Sequence, residues 1–310
     1  MLPEFEYYAP TDALEACRLK AAGARPVAGG TDVYVNMHAG KERAGEIVDL
    51  KGLEALRGQR LTAEGLDLGA LTAHRDIELW EDIRGAYYAL YQGCSQVGSV
   101  QIRHRGTLGG NIMNGAPSAD SVGPLLVHGA EVRTVGPAGE RRIPLEKFYV
   151  GFKQFDLLAE ELLARIFLPL PPANAGSAYY KYTRRNAMDL ALMGVSAYVE
   201  VREGVLENVR VALTTAGPTP VRSYAAERVL EGQAVSDERI VRAAEAAAAE
   251  GKPRSSWRSS AEFRTRLIHD ITIQVLHEAV FRAELPRSRK AEAIRQRLYP
   301  GQIGKGGGER

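Results

Sequence analysis

Two glycine-rich stretches carry the residues most able to do chemistry. Gly106–Asp120 reads G-T-L-G-G-N-I-M-N-G-A-P-S-A-D and mixes Gly106, Gly109, Gly110 and Gly115 with Thr107, Asn111, Asn114 and Asp120. Glycine lets another group come close to the backbone, and successive free N–H groups make a concave anion site. Leu108, Ile112 and Met113 argue for order. So long and glycine-dense a segment in a compact domain is usually functional, and we expect an ordered loop that cradles a phosphate or diphosphate. The other stretch, Ala28-Gly29-Gly30-Thr31-Asp32, follows a short strand ending at Val27–Ala28. Gly29–Gly30 reads as a tight turn, with Thr31 and Asp32 positioned to cap a helix. Free N–H groups and the helix dipole there both favour negative charge. Arg103, His104 and Arg105 add positive charge beside the longer stretch.

The elements that must hold these stretches follow from periodicity. A helix through Leu14, Cys17 and Ala21 precedes the shorter one, and Ile47–Leu50 is an apolar strand. Leu61–Leu71 reads as a hairpin strand, and Thr72–Arg84 and Ala86–Val97 as helices. Glu131–Ile143 is a hairpin around Gly136–Gly139, and Leu162–Leu168 is a strand. The proline- and small-residue-rich stretch Pro169–Ser177 marks a domain boundary. Beyond it, Tyr179–Thr183, Leu192–Val201 and Val205–Thr214 read as antiparallel strands. The helices Tyr224–Leu230, Asp237–Glu250 and Ala261–Glu284 follow, the last with Phe263, Leu267, Ile271 and Val275 along one stripe. Strands followed by helices make this part α+β.

Bulk properties bound the function. The chain has 310 residues, 45% hydrophobic and 25% charged, as expected of a globular protein of two or three domains. Its net charge of +2 is too small to imply nucleic-acid binding. The charge is uneven, because 286–310 holds seven Lys/Arg against two Asp/Glu, a basic tail. No apolar run is long enough for a membrane span, and the acidic start M-L-P-E-F-E lacks a signal-peptide pattern, so a cytoplasmic location is expected. Cys17 and Cys94 fit core positions. Two cysteines cannot hold a four-thiolate iron–sulfur cluster.

Together, A-G-G-T-D at 28–32, T-L-G-G-N-I at 107–112 and A-P-S-A-D at 116–120 resemble the paired flavin signatures of the molybdenum hydroxylases. The resemblance is to their FAD-binding medium subunit, as in xanthine dehydrogenase, carbon monoxide dehydrogenase and 4-hydroxybenzoyl-CoA reductase. Gln101-Ile-Arg and the K-Y-T-R-R-x-x-x-D run at 181–189 also fit it. The resemblance implies an α+β chain. A two-subdomain FAD-binding domain of the vanillyl-alcohol-oxidase (PCMH) type would span 1–172, with subdomains of about 1–56 and 57–172. A C-terminal α+β domain of the carbon monoxide dehydrogenase flavoprotein type, a three-stranded antiparallel sheet with helices, would span 177–285, and 286–310 would be the tail.

Carried over by position, the resemblance implies that Pro26, Val27, Ala28, Gly29, Gly30, Thr31, Asp32 and Val33 wrap the FAD diphosphate with Thr107, Leu108, Gly109, Gly110 and Asn111. Asp120 would bind ribose or ribityl hydroxyls, Leu163 would meet the flavin region, and Lys181 would sit near the isoalloxazine. No residue is implied as a general base, nucleophile or metal ligand, because the flavin carries the redox step. The implied partners are a large subunit with molybdopterin cofactor and a small subunit with two [2Fe–2S] clusters, assembled as a dimer of heterotrimers, with NAD or a quinone as acceptor. Thr31, Asp32 and Asn111 depart from the carbon monoxide enzymes' pattern. Asp120 runs straight into Ser121-Val-Gly, so the cysteine-rich insertion of the 4-hydroxybenzoyl-CoA reductase subunit is absent. The competing readings are a stand-alone FAD-dependent oxidase or reductase and a non-enzymatic nucleotide-binding module.

Overall fold

The computed structural model describes residues 2–285; the basic stretch 286–310 lies outside the described residues. The first sheet is parallel. Its strands β1 (Glu6–Tyr8), β2 (Arg25–Val27) and β3 (Glu46–Asp49) lie in the order β1-β3-β2. Parallel neighbours need crossovers, and α1 (Ala13–Ala21) and α2 (Val33–His38) supply them. The Asp12 carboxylate caps α1 by accepting from Glu15 N at 3.0 Å.

The second sheet is antiparallel. It opens with β4 (Gln59–Leu61) and β5 (Gly65–Gly69) and then gives way to six short helices. These are α3 (His74–Leu79), α4 (Glu81–Arg84), α5 (Tyr88–Ser95), α6 (Val100–Arg105), α7 (Leu108–Asn114) and α8 (Val122–Val127). Then come β6 (Glu131–Val135), β7 (Arg142–Pro144), α9 (Leu145–Phe148), the hairpin β8 (Tyr149–Gly151) with β9 (Gln154–Phe155), and β10 (Leu162–Pro169). The sheet order β4-β5-β10-β6-β7 puts β10 at the centre, with Ile166 opposite Leu68 on one side and Val132 on the other.

The third sheet joins β11 (Ala175–Tyr182), β12 (Met193–Arg202), β13 (Val205–Thr214) and β14 (Val221–Arg222). Helices α10 (Tyr224–Leu230), α11 (Asp237–Glu250) and α12 (Ala261–Glu284) follow. The sheet is thus the expected antiparallel three strands with a two-residue fourth added at its edge.

Three local expectations change. Gly106–Asp120 is not one loop, because Leu108–Asn114 is helical despite its glycines. Thr107 Oγ1 accepts from Gly110 N at 3.0 Å, and the N–H groups of Leu108 and Gly109 donate to Thr72 O and Ala70 O, both at 2.9 Å. Tertiary partners for its first donors outweigh the low helix propensity of glycine. Thr72–Arg84 is two helices rather than one, broken where Trp80 is extended. Phe263 leaves the buried stripe of α12 and is exposed against Tyr182, while Leu267, Ile271 and Val275 are buried.

The main core joins β5 and β10 to α5, α7 and α8 and reaches Tyr198 and Ala212 of the third sheet. At that junction the buried His128 lies between the rings of Tyr87 (5.2 Å) and Tyr198 (5.5 Å), with Nε2 3.1 Å from Ser177 Oγ. Burial pushes its pKa down to about 3, and Arg210 adds to the effect. Burial likewise pushes His74 down to about 4. Below pH 6.5 the unfolded chain takes up protons at both imidazoles and the folded chain does not, so stability is complete above pH 6.5 and falls as pH drops toward 4. The two together predict a loss of up to about 2.7 kcal/mol per pH unit between pH 6 and 5. Urea unfolding at these two pH values checks it: His128→Gln should roughly halve the slope, and a flat wild-type profile contradicts it.

Candidate functional site

The two glycine stretches meet. A methyl group on Gly29 would lie 1.9 Å from Arg105 O and 3.1 Å from Gly106 Cα, so the first turn rests directly on the backbone that leads into α7. A methyl on Gly106 would come within 3.5 Å of Thr31 Oγ1. Further along, Asn114 Nδ2 donates to Asp32 Oδ1 at 3.2 Å and ties the start of α2 to the end of α7. Asp32 therefore does not cap α2 with its side chain. Gly30 sits at φ +73°, a left-handed turn that favours glycine.

The backbone donors of the two stretches have different fates. In the longer one, Leu108, Gly109, Gly110 and Asn111 all donate within the protein. In the shorter one, none of the N–H groups from Gly29 to Val33 finds an acceptor among the described residues. The left-handed turn and the start of α2 thus offer a run of unused donors, while α7 forms the wall they face. A methyl on Gly109 would lie 2.6 Å from Ala70 Cβ, so this glycine serves close packing of α7 on the end of β5.

A cleft of about 550 Å³ opens between the stretches, a size usual for small-molecule sites. Pro26, Ala28, Gly29, Gly30, Thr31, Asp32 and Val33 line it from one side. Thr107, Gly109, Gly110, Asn111, Asp120 and Leu163 line it from the other. Val27 and Leu108 are buried in the cores behind the two walls and anchor them. Lys181 also stands behind the cleft: its Nζ donates to Asp120 Oδ2 at 2.7 Å and to Gln96 O at 3.0 Å. Tyr179 Oη donates to the other oxygen, Asp120 Oδ1, at 2.8 Å. Burial pushes the Asp120 carboxyl above its ordinary range, against the pull of Lys181 and Tyr179. Ser121 Oγ donates to Asn111 Oδ1 at 2.7 Å and leaves the Asn111 amide NH₂ to a ligand.

Other lining residues escape sequence reasoning. His74 at the start of α3 lines the cleft, buried and neutral, beside the Gly106 backbone. Lys153 and Phe155 come from the β8–β9 hairpin, and Met188, Asp189 and Leu190 from the loop after β11. Only Asp189 carried a signal, within K-Y-T-R-R-x-x-x-D. Conversely, Arg103 is not free for an anion, because it is buried and its Nε bonds Glu78 at 2.7 Å.

The cleft suits a nucleotide-bearing anion. It combines unused N–H donors on a glycine turn backed by the Tyr34 ring, an oriented amide, and a carboxylate placed for hydroxyl groups. Removing the cation behind that carboxylate should be costly: Lys181→Met is expected to lose about 3–5 kcal/mol of stability, because one charge of a buried pair is left alone. Adding Asp120→Asn should recover most of it in denaturant unfolding; a Lys181→Met protein as stable as wild type contradicts the coupling.

Comparison with known proteins identifies the family. The family model "FAD binding domain in molybdopterin dehydrogenase" matches residues 3–171, and "CO dehydrogenase flavoprotein C-terminal domain" matches 178–279. The chain is 36% identical over 259 residues to the xanthine dehydrogenase FAD-binding subunit of Escherichia coli O157:H7, covering 83% of this chain and 89% of that one. It is 31% identical over 239 residues to the nicotinate dehydrogenase FAD-subunit of Eubacterium barkeri, covering 74% and 81%. A solved structure of carbon monoxide dehydrogenase from Hydrogenophaga pseudoflava superposes with a TM-score of 0.88 at 29% identity, covering 91% of this chain and 99% of that chain. The chain belongs to the FAD-binding subunits of the molybdopterin dehydrogenases, oxidoreductases of the xanthine dehydrogenase family.

Proposed function

We propose that the chain is the FAD-carrying electron-transfer subunit of a multi-subunit molybdenum hydroxylase, dehydrogenase or reductive dehydroxylase. It exchanges electrons with the [2Fe–2S] clusters of a small partner subunit, and with an external acceptor or donor such as NAD or a quinone. A molybdopterin-binding large subunit selects the substrate, an aromatic, N-heterocyclic or acyl-CoA compound. Similarity to subunits named for xanthine and nicotinate favours an N-heterocycle. The complex is a dimer of heterotrimers in the cytoplasm. No helix among the described residues is long and apolar enough to cross a membrane.

The observation that carries the reading is the convergence of Gly29–Val33, with unused N–H donors, on the wall formed by Thr107–Asn111. When bound, the isoalloxazine supplies the electron chemistry. The chain's own residues hold and orient it. The N–H groups of Gly29–Val33 take the diphosphate, with Pro26, Val27 and Ala28 leading into the turn. Thr107 and Asn111 offer side-chain polar groups from the opposite wall, where Leu108, Gly109 and Gly110 keep α7 close. Asp120 accepts from ribose or ribityl hydroxyls with the lone pairs that Tyr179 and Lys181 leave. Leu163 packs against the ring end, and Lys181 sets the charge behind Asp120.

Gly29→Ala tests the assignment. The added methyl must push the turn off Arg105, so FAD content should fall about 10-fold or more, with a stability loss of about 1–3 kcal/mol. Gly45→Ala, where nothing lies within 4 Å of the added methyl, should bind FAD as wild type does. Full FAD occupancy in the Gly29→Ala protein rejects the assignment.

A further inference from the structure

His74 is 1% exposed and yet lines the cleft. Backbone contacts fix its place. His74 N donates to Gly106 O at 3.1 Å, Leu108 N donates to Thr72 O at 2.9 Å, and Ala73 pairs with Thr107 between them. The Asp76 carboxylate accepts from Ala73 N at 3.1 Å and closes the first turn of α3. The imidazole is therefore laid against the backbone where the two glycine stretches meet. Its Cδ2 and Thr31 Oγ1 each lie 3.5 Å from the position of a Gly106 methyl, so they are at most twice that distance apart. Thr31 belongs to the run of unused N–H donors.

The ring lacks partners. Nδ1 is sealed from solvent and makes no hydrogen bond among the described residues. With that nitrogen sealed, Nε2, the ring neighbour of Cδ2, is the one through which the imidazole meets the cleft. His128 gives the contrast. It too is buried with Nδ1 bare, but its Nε2 is 3.1 Å from Ser177 Oγ, inside the protein. Burial, with Arg103 adding to the effect, keeps His74 neutral at pH 7, so its ring carries a single proton. An orphaned buried N–H is rarer than an under-satisfied acceptor, which puts that proton on Nε2. The outcome is an uncharged donor facing the cleft beside Thr31. A buried polar atom left without a partner calls for one, and here the cleft is where it can come from.

We propose that His74 is a phosphoryl ligand: its Nε2–H donates to an oxygen of the cofactor diphosphate held at Thr31. The inference rests on the function proposed above and adds a buried side-chain donor to the backbone donors of the first turn. A neutral donor suits the place. It bonds an anion without the desolvation cost of a buried cation, and the nearby Arg103 is already spent on Glu78. Hydrogen bonds to an ionised acceptor are the strong ones, so one such donor should be felt in affinity.

The test uses the full-length chain, stripped of FAD and reloaded, with FAD affinity and the urea stability of the FAD-free form measured side by side. His74→Phe keeps a planar ring and removes the donor; it should weaken FAD binding about 10-fold or more. His74→Gln places an amide N–H near the reach of Nε2 and should recover most of that loss. In the His74→Gln protein, phosphorus NMR of bound FAD should show at least one of the diphosphate resonances displaced from its wild-type position. Should His74→Phe fail to fold, the wild-type chain decides by nitrogen NMR with labelled histidine. FAD should then move the Nε2 resonance of the imidazole that is missing from the His74→Gln spectrum, with Nδ1 unprotonated and His128 unchanged. Wild-type affinity in His74→Phe overturns the proposal, and so does equal loss in the Phe and Gln variants. An imidazole spectrum indifferent to FAD, a proton on Nδ1, or undisplaced phosphorus resonances overturn it too. A wild-type chain that takes up no FAD rejects the underlying function; one that binds FAD with His74 silent rejects this ligand alone.

Discussion

The contact between Gly29 and the Arg105–Gly106 backbone is the constraint on which the site depends. No residue with a Cβ fits there, because the first side-chain carbon would occupy the space of a carbonyl oxygen. Two segments more than seventy residues apart are thereby pressed together, each held by a different sheet. The parallel sheet ends β2 at the turn, and the antiparallel sheet docks α7 through the N–H groups of Leu108 and Gly109. The cleft exists because these two docked ends almost touch. Where the two glycine stretches meet, the cleft brings backbone to close range, as an extended anionic ligand requires, and side chains line the rest.

The two stretches look alike in sequence and do different work. Around Gly110 the backbone donors are consumed by the protein, and the stretch becomes a rigid wall. Around Gly30 they remain unused, and it is this stretch that we propose as the gripping surface. Behind the wall, Asp120 is fixed from two directions by Tyr179 and Lys181 of β11. The third sheet thus contributes to the cleft through a buried charge pair and through the Met188–Leu190 loop at its mouth. A single cleft draws on all three sheets.

Long elements were legible from periodicity. The helices Tyr224–Leu230, Asp237–Glu250 and Ala261–Glu284 and the strands of the third sheet follow their apolar spacing. The glycine stretches announced the ligand class through residue type. What stayed hidden was set by tertiary partners. Nothing local says that Gly109 donates to Ala70 O, so a helix was read as a loop. Nothing local says that Arg103 is buried on Glu78. His74, Lys153 and Phe155 reach the cleft only because α3 and the β8–β9 hairpin fold back on it. Lys181 and Asp120 were each singled out, yet their ion pair spans sixty-one positions and becomes visible only in three dimensions.

The central claim is that the first glycine turn grips the cofactor while the second forms a wall already complete without it. Amide hydrogen exchange on the chain with and without FAD measures this most directly. The account predicts that FAD strongly slows exchange at Gly29–Val33, and that Leu108–Asn111 is protected in both states with little further change. Slowing confined to Leu108–Asn111, with Gly29–Val33 unaffected by FAD, would contradict it.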